Sequence, residues 1–334
     1  MRVDLPAQKE ERVNKKNFKK TIYNKPYIEQ RADPYVYKHT DGSYYFTASV
    51  PEYDKIILRK SDSLDGLAKA AEHTVWKKHD SGIMSIHIWA PELHYIDNTW
   101  IIYYAAGDKD DIWAIRPYVL MCKEEDPIHG NWVELGKMKG ADDFCFQDFS
   151  LDMTVFEHNQ NWYCIWAEKV GTGKKISNLY IGELASPNQL KSQHKLLSYP
   201  DYDWERIGFW VNEAPAVLKH GGKLYLTYSA SETGAYYCIG MLSIDETANL
   251  LDPRLWKKEK SAVLRTDMEK GIVGPGHNCF VKSEDGQDDI MVYHARQYDE
   301  IEGDPLYDPN RHAYRMIVKW DKNGSPSFQV NHNF

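Results

Sequence analysis

The sequence lacks the features that mark disulfide-rich, zinc-binding and membrane-spanning proteins. Its five cysteines are an odd number and none has C-x-x-C spacing, which predicts buried free thiols. No apolar run approaches the roughly 18 residues that would cross a bilayer. The charged segment MRVDLPAQKEERVNKKNFKK (1–20) also lacks the apolar stretch of a signal peptide. These absences predict a cytoplasmic protein, unless a leader preceding residue 1 has been removed.

Positive charge is in deficit, with 41 lysines and arginines against 49 aspartates and glutamates and a formal net charge of −8. Such a chain repels phosphate backbones and anionic lipid, so we expect neither nucleic acid nor a membrane as a partner. A neutral substrate suits it better. Helical patterns are also scarce, and only SLDGLAKAAE (63–72) suggests a modest helix.

An internal repeat is the most informative feature of the chain, because repeats constrain the whole architecture. Each copy alternates apolar and polar residues, turns at a short polar stretch and returns through a strand rich in Tyr, Trp, Ile and Val, which predicts a β-hairpin. The copies start 57 to 63 residues apart. They span residues 33–49, 90–107, 152–168, 214–231 and 277–295.

Further strand-like stretches, such as KIILRKS (55–61) and YVLMCKE (118–124), lie between the hairpins. They bring each unit to about four antiparallel strands, the size of a propeller blade. The sequence therefore predicts an all-β fold: a five-bladed β-propeller as a single domain over residues 25–330, preceded by an N-terminal extension at residues 1–24. Two stacked β-sandwiches with similar hairpin spacing are the alternative.

Three acidic residues occupy or precede the first position of the repeat. These are Asp33, Asp152 and Glu213, in the first, third and fourth copies. The innermost strands of a propeller line its central channel, so equivalent positions should converge there. Neighbouring carboxylates push their pKa values apart, which supplies both a protonated acid and an ionised base, as glycosidases require. Taken one at a time, each acid could instead be a strand cap or one member of a salt bridge.

Five motifs, in this order and spacing, resemble glycoside hydrolase family 43, the five-bladed arabinofuranosidases, arabinanases and β-xylosidases. The resemblance covers about residues 25–320 and implies that Asp33 is the general base, that Asp152 orients and tunes the site, and that Glu213 is the general acid. It also implies that His277 faces a hydrated cation, often calcium, although an isolated histidine is more often a core residue. The motifs are ADPYV (32–36), WAPEL (89–93), SLDMTVF (150–156), VNEAPAV (211–217) and GPGHN (274–278).

The related invertase-like families carry Arg-Asp-Pro and Glu-Cys motifs where this chain has Leu151-Asp152-Met153 and Glu213-Ala214. Fructan chemistry is therefore disfavoured. The compact single propeller resembles exo-acting arabinofuranosidases more than the longer β-xylosidases, so the resemblance favours an inverting, exo-acting α-L-arabinofuranosidase that releases L-arabinofuranose from arabino-oligosaccharides or from arabinan ends and side chains. Such an enzyme needs no cofactor for the chemistry. A β-xylosidase acting on xylo-oligosaccharides and a non-catalytic glycan-binding propeller are the alternatives.

Substrate contacts are predicted from aromatic residues beside the acids. Trp89, Phe209 and Trp210 lie where an apolar ring face could stack on the C–H side of a pentose, or could simply pack between blades. Arg296 matches a family arginine that holds sugar hydroxyls, with a surface salt bridge as its alternative.

Overall fold

The computed structural model describes residues 25–169 and 175–329, and the predicted extension at residues 1–24 lies outside the described residues. The described chain is nearly all β-strand, as the alternating patterns predict. The segment predicted as a helix contains only one turn, α1 (Leu64–Leu67), capped by the side chain of Ser63. Short 3₁₀ turns lie at Asp203–Glu205, Pro253–Leu255, Met268–Lys270 and Pro305–Tyr307.

Two four-stranded antiparallel sheets form the first part of the chain, and each is ordered as in the sequence. The first contains β1 (Ala32–Lys38), β2 (Tyr44–Ser49), β3 (Lys55–Ser61) and β4 (His73–Lys77). The second contains β5 (Ile83–Ile96), β6 (Thr99–Asp108), β7 (Asp111–Cys122) and β8 (Val133–Lys137).

The middle of the chain adds two more antiparallel groups, joined through a short parallel pairing of β11 with β14. One group contains β9 (Ser150–His158), β10 (Asn161–Glu168) and β11 (Lys175–Ser186), with β12 (Gln189–Leu190) and β13 (Lys195–Ser198) both paired to β11. The other contains β14 (Trp210–His220), β15 (Lys223–Ala230), β16 (Cys238–Asp245) and β17 (Lys257–Lys258).

The last sheet contains β18 (Val273–Lys282), β19 (Asp289–Arg296) and β20 (His312–Ile317), followed by a small pair, β21 (Lys319–Trp320) and β22 (Pro326–Ser327). The beginning of the described chain returns to this sheet. Ile28 forms an antiparallel bridge with Ala313, whose N–H donates to the Ile28 carbonyl at 2.8 Å. Residues from the two ends of the chain therefore pair side by side.

All five predicted hairpins are confirmed as antiparallel strand pairs, and each begins a sheet or group. Their first strands, β1, β5, β9, β14 and β18, contact one another in this order, and β18 also contacts β1. This arrangement gathers the repeat-equivalent positions around a common centre.

The core is divided among five hydrophobic clusters within the described residues. Four of them lie between two successive groups of strands, and the fifth joins the third and fourth groups and also includes residues of the second. One cluster joins the last sheet to the first, through Val36 and Phe46 packed with Cys279 and Val292. All five cysteines are free and buried, as predicted. No helix in the described part of the chain is long and apolar enough to cross a membrane.

Candidate active site

The five repeated hairpins share one backbone feature at the first position of the repeat. The pairing register between the two strands of every hairpin skips there, which marks a β-bulge. A non-glycine residue with positive φ costs about 1–3 kcal/mol, and a bulge redirects the side chains beside it. The positive φ angles are 52° at Asp33, 47° at Ala90, 54° at Asp152, 50° at Ala214 and 43° at His277.

The bulges free backbone N–H groups, and side chains from other strands accept hydrogen bonds from them. Asp152 Oδ2 accepts from the N–H of Ala214 at 3.1 Å, which ties the third hairpin to the fourth. Ser49 Oγ accepts from the N–H of Ala90 at 2.8 Å and donates to Asp33 Oδ2 at 2.5 Å. Both carboxylates are therefore fixed by contacts that reach a bulge of another hairpin.

One cavity of about 600 Å³ is lined by most of the site residues that the sequence predicts. Among the residues that line this cavity, Asp33 and Asp152 are buried and Glu213 is half-buried. The three acids thus meet, as their repeat positions predict, although they lie far apart in the chain. The predicted residues that line the cavity are Asp33, Trp89, Asp152, Phe209, Glu213 and His277.

Asp33 lies among cationic and polar groups that favour its ionised form. Arg311 Nη1 is 3.4 Å and His277 Nδ1 3.3 Å from Asp33 Oδ1, and His294 Nδ1 accepts a hydrogen bond from the Asp33 N–H at 3.1 Å. Burial alone would raise the pKa of Asp33, but Arg311, with smaller effects from His277 and His294, holds it well below its usual value. Asp33 is therefore a carboxylate at neutral pH.

Glu213 and Asp152, in contrast to Asp33, have raised pKa values. Burial raises the pKa of Glu213 to about 7, against a hydrogen bond from Tyr237 that lowers it, and the charge of Asp33 adds to the rise. Burial also raises the pKa of Asp152 well above its usual value, with further contributions from the charges of Glu213 and Asp33. The cavity consequently holds one ionised carboxylate beside carboxyls that keep a proton near neutrality.

Several site residues escaped the sequence analysis. Arg311 pairs with Asp33, and the hydroxyl of the buried Tyr237 donates to Glu213 Oε1 at 2.6 Å. His294 and Ser49 contact Asp33 from the second strands of their hairpins. Arg311 and Tyr237 precede third strands, outside the repeated hairpins that were compared, so no spacing signal could have found them.

Two predicted substrate residues lie outside the cavity lining. Arg296 is 1% exposed, and its guanidinium donates to Asp308 Oδ1 at 3.2 Å and to the carbonyls of Thr233 and Pro305. Its donors are therefore hydrogen-bonded within the protein. This position secures the loop around Asp308 to the end of β19. Trp210 begins β14, and the guanidinium of Arg206 lies 4.8 Å from its ring centre.

His277 lies beside the buried carboxyls of the cavity. Its Nδ1 lies 3.3 Å from Asp33 Oδ1 and 3.8 Å from Asp152 Oδ2, with Arg311 on the same Asp33 oxygen. Calcium takes six to eight oxygen ligands. Among residues 25–169 and 175–329, no group of three or more His, Cys, Asp or Glu side chains could hold a metal ion.

Comparison with known proteins identifies the family. A sequence profile described as "Glycosyl hydrolases family 43" matches residues 23–326. The chain belongs to glycosyl hydrolases family 43. The resemblance carried by the five motifs is thereby confirmed. Glycoside hydrolysis by two carboxyls requires one ionised and one protonated carboxyl, and the cavity holds such a pair.

Relatives with 47–48% identity are named arabinofuranosidases. The chain is 47% identical over 308 residues to a Streptomyces avermitilis protein named extracellular exo-α-(1→5)-L-arabinofuranosidase, which covers 92% of this chain and 63% of that relative. A Streptomyces chartreusis protein of the same name is 47% identical over 283 residues, 85% of each chain. The crystal structure of an α-L-arabinofuranosidase from Lactobacillus brevis shares 48% identity, with a TM-score of 0.87 over 92% of this chain and 97% of that one.

These comparisons contradict the predicted cytoplasmic location, because both Streptomyces relatives are named extracellular enzymes. The prediction relied on the charged segment 1–20 and on the lack of a long apolar run, and neither feature determines where a folded domain works. The chain spans less than two thirds of the length of the Streptomyces avermitilis relative.

Proposed function

We propose that the chain is an inverting glycoside hydrolase that releases L-arabinofuranose from arabino-oligosaccharides and from the ends or side chains of arabinan. The observation that carries the proposal is the contrast between two carboxyls on one cavity. The pKa of Asp33 lies well below its usual value, whereas that of Glu213 is raised to about 7. The names of the family 43 relatives support arabinofuranose as the sugar.

In the proposed reaction, Glu213 gives its proton to the departing glycosidic oxygen. Ionised Asp33 meanwhile accepts a proton from the water that attacks the anomeric carbon from the opposite face. A bond from the water oxygen forms as the glycosidic bond breaks, so the configuration inverts. Asp152 holds the strand of the acid through the Ala214 N–H. Solvent then returns the proton from Asp33 to Glu213.

Trp89 and Arg311 line the cavity and would contact the sugar. Trp89 Nε1 and Arg311 Nε are buried and have no hydrogen-bond partner within the described part of the chain. A small movement of either side chain would bring its donor to a sugar oxygen. The exposed ring of Phe209 offers an apolar face at the mouth of the cavity.

We also propose that the strand groups are the blades of a five-bladed propeller that forms one domain over residues 25–330. Four hydrophobic clusters that each lie between two successive groups support this arrangement, one of them between the last sheet and the first. The bridge from Ile28 to Ala313 would supply a further strand to the last blade. A structural calcium ion near His277 stays a prediction, and metal analysis of the purified protein would test it.

The decisive test follows the stereochemistry and the leaving group. An NMR time course on an arabino-oligosaccharide should show the first-formed arabinose with inverted anomeric configuration. Glu213→Gln should lower activity on the oligosaccharide by about 10²–10⁴-fold, because the departing alkoxide needs a proton. It should lower activity on an aryl arabinofuranoside far less.

Asp33→Asn is the matched variant, and it should damage both substrates alike because both need the activated water. Retained configuration, or equal losses on both substrates for Glu213→Gln, would show that the roles are wrong. Faster hydrolysis of an aryl xyloside than of the arabinofuranoside would favour the β-xylosidase alternative. Binding of arabinan without hydrolysis would favour a non-catalytic propeller.

A further inference from the structure

One wall of the cavity extends beyond the others. The strand β5 begins seven residues before its repeat position, Ala90, whereas the other first strands begin one to four residues before theirs. This extra stretch contains two further register shifts, with positive φ at Met84 and His87. Together with the adjoining turn between β6 and β7, this stretch forms one wall of the cavity beside the catalytic carboxyls. The wall contains residues 83–89 and 107–113.

Three rings run along this wall from the cavity floor to solvent. The ring centre of His87 lies 4.4 Å from that of Trp89 in a stacked arrangement, and 5.5 Å from that of Trp113. Trp89 and His87 are buried, but Trp113 is 52% exposed. Both tryptophans line the cavity. The row of rings thus ends at Trp113, whose indole is exposed at the mouth of the cavity.

The outer ring is held in place. His87 Nδ1 lies 3.0 Å from the carbonyl of Ile112, the residue before Trp113, and its Nε2 lies 3.2 Å from the hydroxyl of Tyr307. Burial lowers the pKa of His87, so the neutral ring donates from Nδ1 and accepts at Nε2. Phe149 also lies near Trp113, with ring centres 6.5 Å apart. An aromatic side chain fixed in this way loses little entropy when a ligand stacks on it.

We propose that Trp113 is the platform for the aglycone, meaning the arabinofuranose residues beyond the bond that is cleaved. The inference rests on the proposed function and adds a site for the second and later sugars of a neutral chain. The C–H face of a pentose matches an indole face. Charges of both signs surround the platform, with Asp111 and Asp148 against Arg116 and Lys169, which suits an uncharged ligand.

The test compares two substrates that differ only in what extends beyond the cleaved bond. Arabinotriose places sugars on the wall, whereas arabinofuranosyl fluoride has a leaving group of one atom that does not reach it. Trp113→Ala should lower kcat/KM for arabinotriose about tenfold, the loss expected for one aromatic stacking contact. The value for the fluoride should change less than about twofold, and this second substrate also reports on folding.

Phe144→Ala is the matched control, because Phe144 is 80% exposed and does not line the cavity. It should leave both substrates unchanged, and Trp113→Phe should restore most of the activity on arabinotriose. Equal losses on both substrates for Trp113→Ala, no loss on either, or the same loss for Phe144→Ala would overturn the platform. A wild-type protein that is inactive on the fluoride would refute the proposed function itself, and the platform with it.

Discussion

At the scale of single residues, the hydrogen bond from Tyr237 to Glu213 sets the protonation of the proposed acid. The Tyr237 ring is buried, and its hydroxyl lies 2.6 Å from Glu213 Oε1. A hydrogen bond to the charged form stabilises it, so this contact lowers the pKa of Glu213 against the effect of burial. Asp33, Asp152 and Arg311 are the other charged groups around that carboxyl.

We therefore expect the kcat/KM of the wild-type protein to fall above a pH of about 7, where Glu213 loses its proton. Tyr237→Phe removes the donor, so the pKa of Glu213 should rise and the basic limb should move to higher pH. The pH dependence of kcat/KM on an arabino-oligosaccharide measures this shift. Tyr293→Phe is the control, because the buried Tyr293 hydroxyl has no hydrogen-bond partner among the described residues. If the basic limb of the pH profile stayed in place in Tyr237→Phe, the prediction would be contradicted.

At the scale of elements, the strand β18 and its bulge leave space for Tyr237. Gly276 precedes the bulge residue His277, and a Cβ built on Gly276 would lie 2.0 Å from Tyr237 Cε1. Real atoms cannot approach so closely, so any larger residue would displace the ring. Gly276, in the GPGHN motif, thus leaves room for the tyrosine that donates a hydrogen bond to Glu213 on another hairpin.

Gly276→Ala should shift Tyr237 away from Glu213. We expect a loss of about 1–3 kcal/mol in the free energy of unfolding from overpacking, and a fall in kcat of at least about tenfold. Urea denaturation and steady-state kinetics measure the two effects. Gly286→Ala, in the turn of the same hairpin, meets no atom within 4 Å but has a positive φ of 74°. It should cost about 1 kcal/mol of stability without changing kcat, and an equal loss of kcat there would contradict the explanation.

At the scale of the whole molecule, the described chain closes on itself through its first residues. The N–H of Tyr27 donates to the Ala313 carbonyl at 2.7 Å, and Ile28 is 4% exposed within the cluster that joins the first and last sheets. These contacts secure the sheet that carries His277 and His294 next to the strand that carries Asp33. In the proposed propeller, closure of the ring depends on such a junction.

Deletion of residues 1–28 should therefore destabilise the protein more than deletion of residues 1–24. The difference should be about 3 kcal/mol or more, from the buried Ile28 side chain and the lost backbone hydrogen bonds. Thermal denaturation of the two truncated proteins, compared at equal concentration, measures it. Identical melting temperatures would show that the junction contributes nothing to stability.

The sequence by itself determined the hairpins and the positions of the three acids. Strand alternation and turn residues are local signals, so the five repeated segments could be aligned without a structure. Once they were aligned, Asp33, Asp152 and Glu213 had to meet, because equivalent strands of repeated sheets surround one centre. The motifs at those positions also indicated family 43, and the family profile confirms it.

The resemblance implied which carboxyl is the base and which is the acid, but only the tertiary structure shows the physical cause of that difference. Arg311 lies 278 residues from Asp33 in the chain, and Tyr237 lies on a segment for which the repeat gave no signal. Arg296 matched a family pattern, yet folding turned its guanidinium toward loop carbonyls, and the exposed Trp113 carried no motif at all. Charge and burial act through space rather than along the chain. Local patterns can therefore place a carboxyl in a site, but they cannot assign its proton.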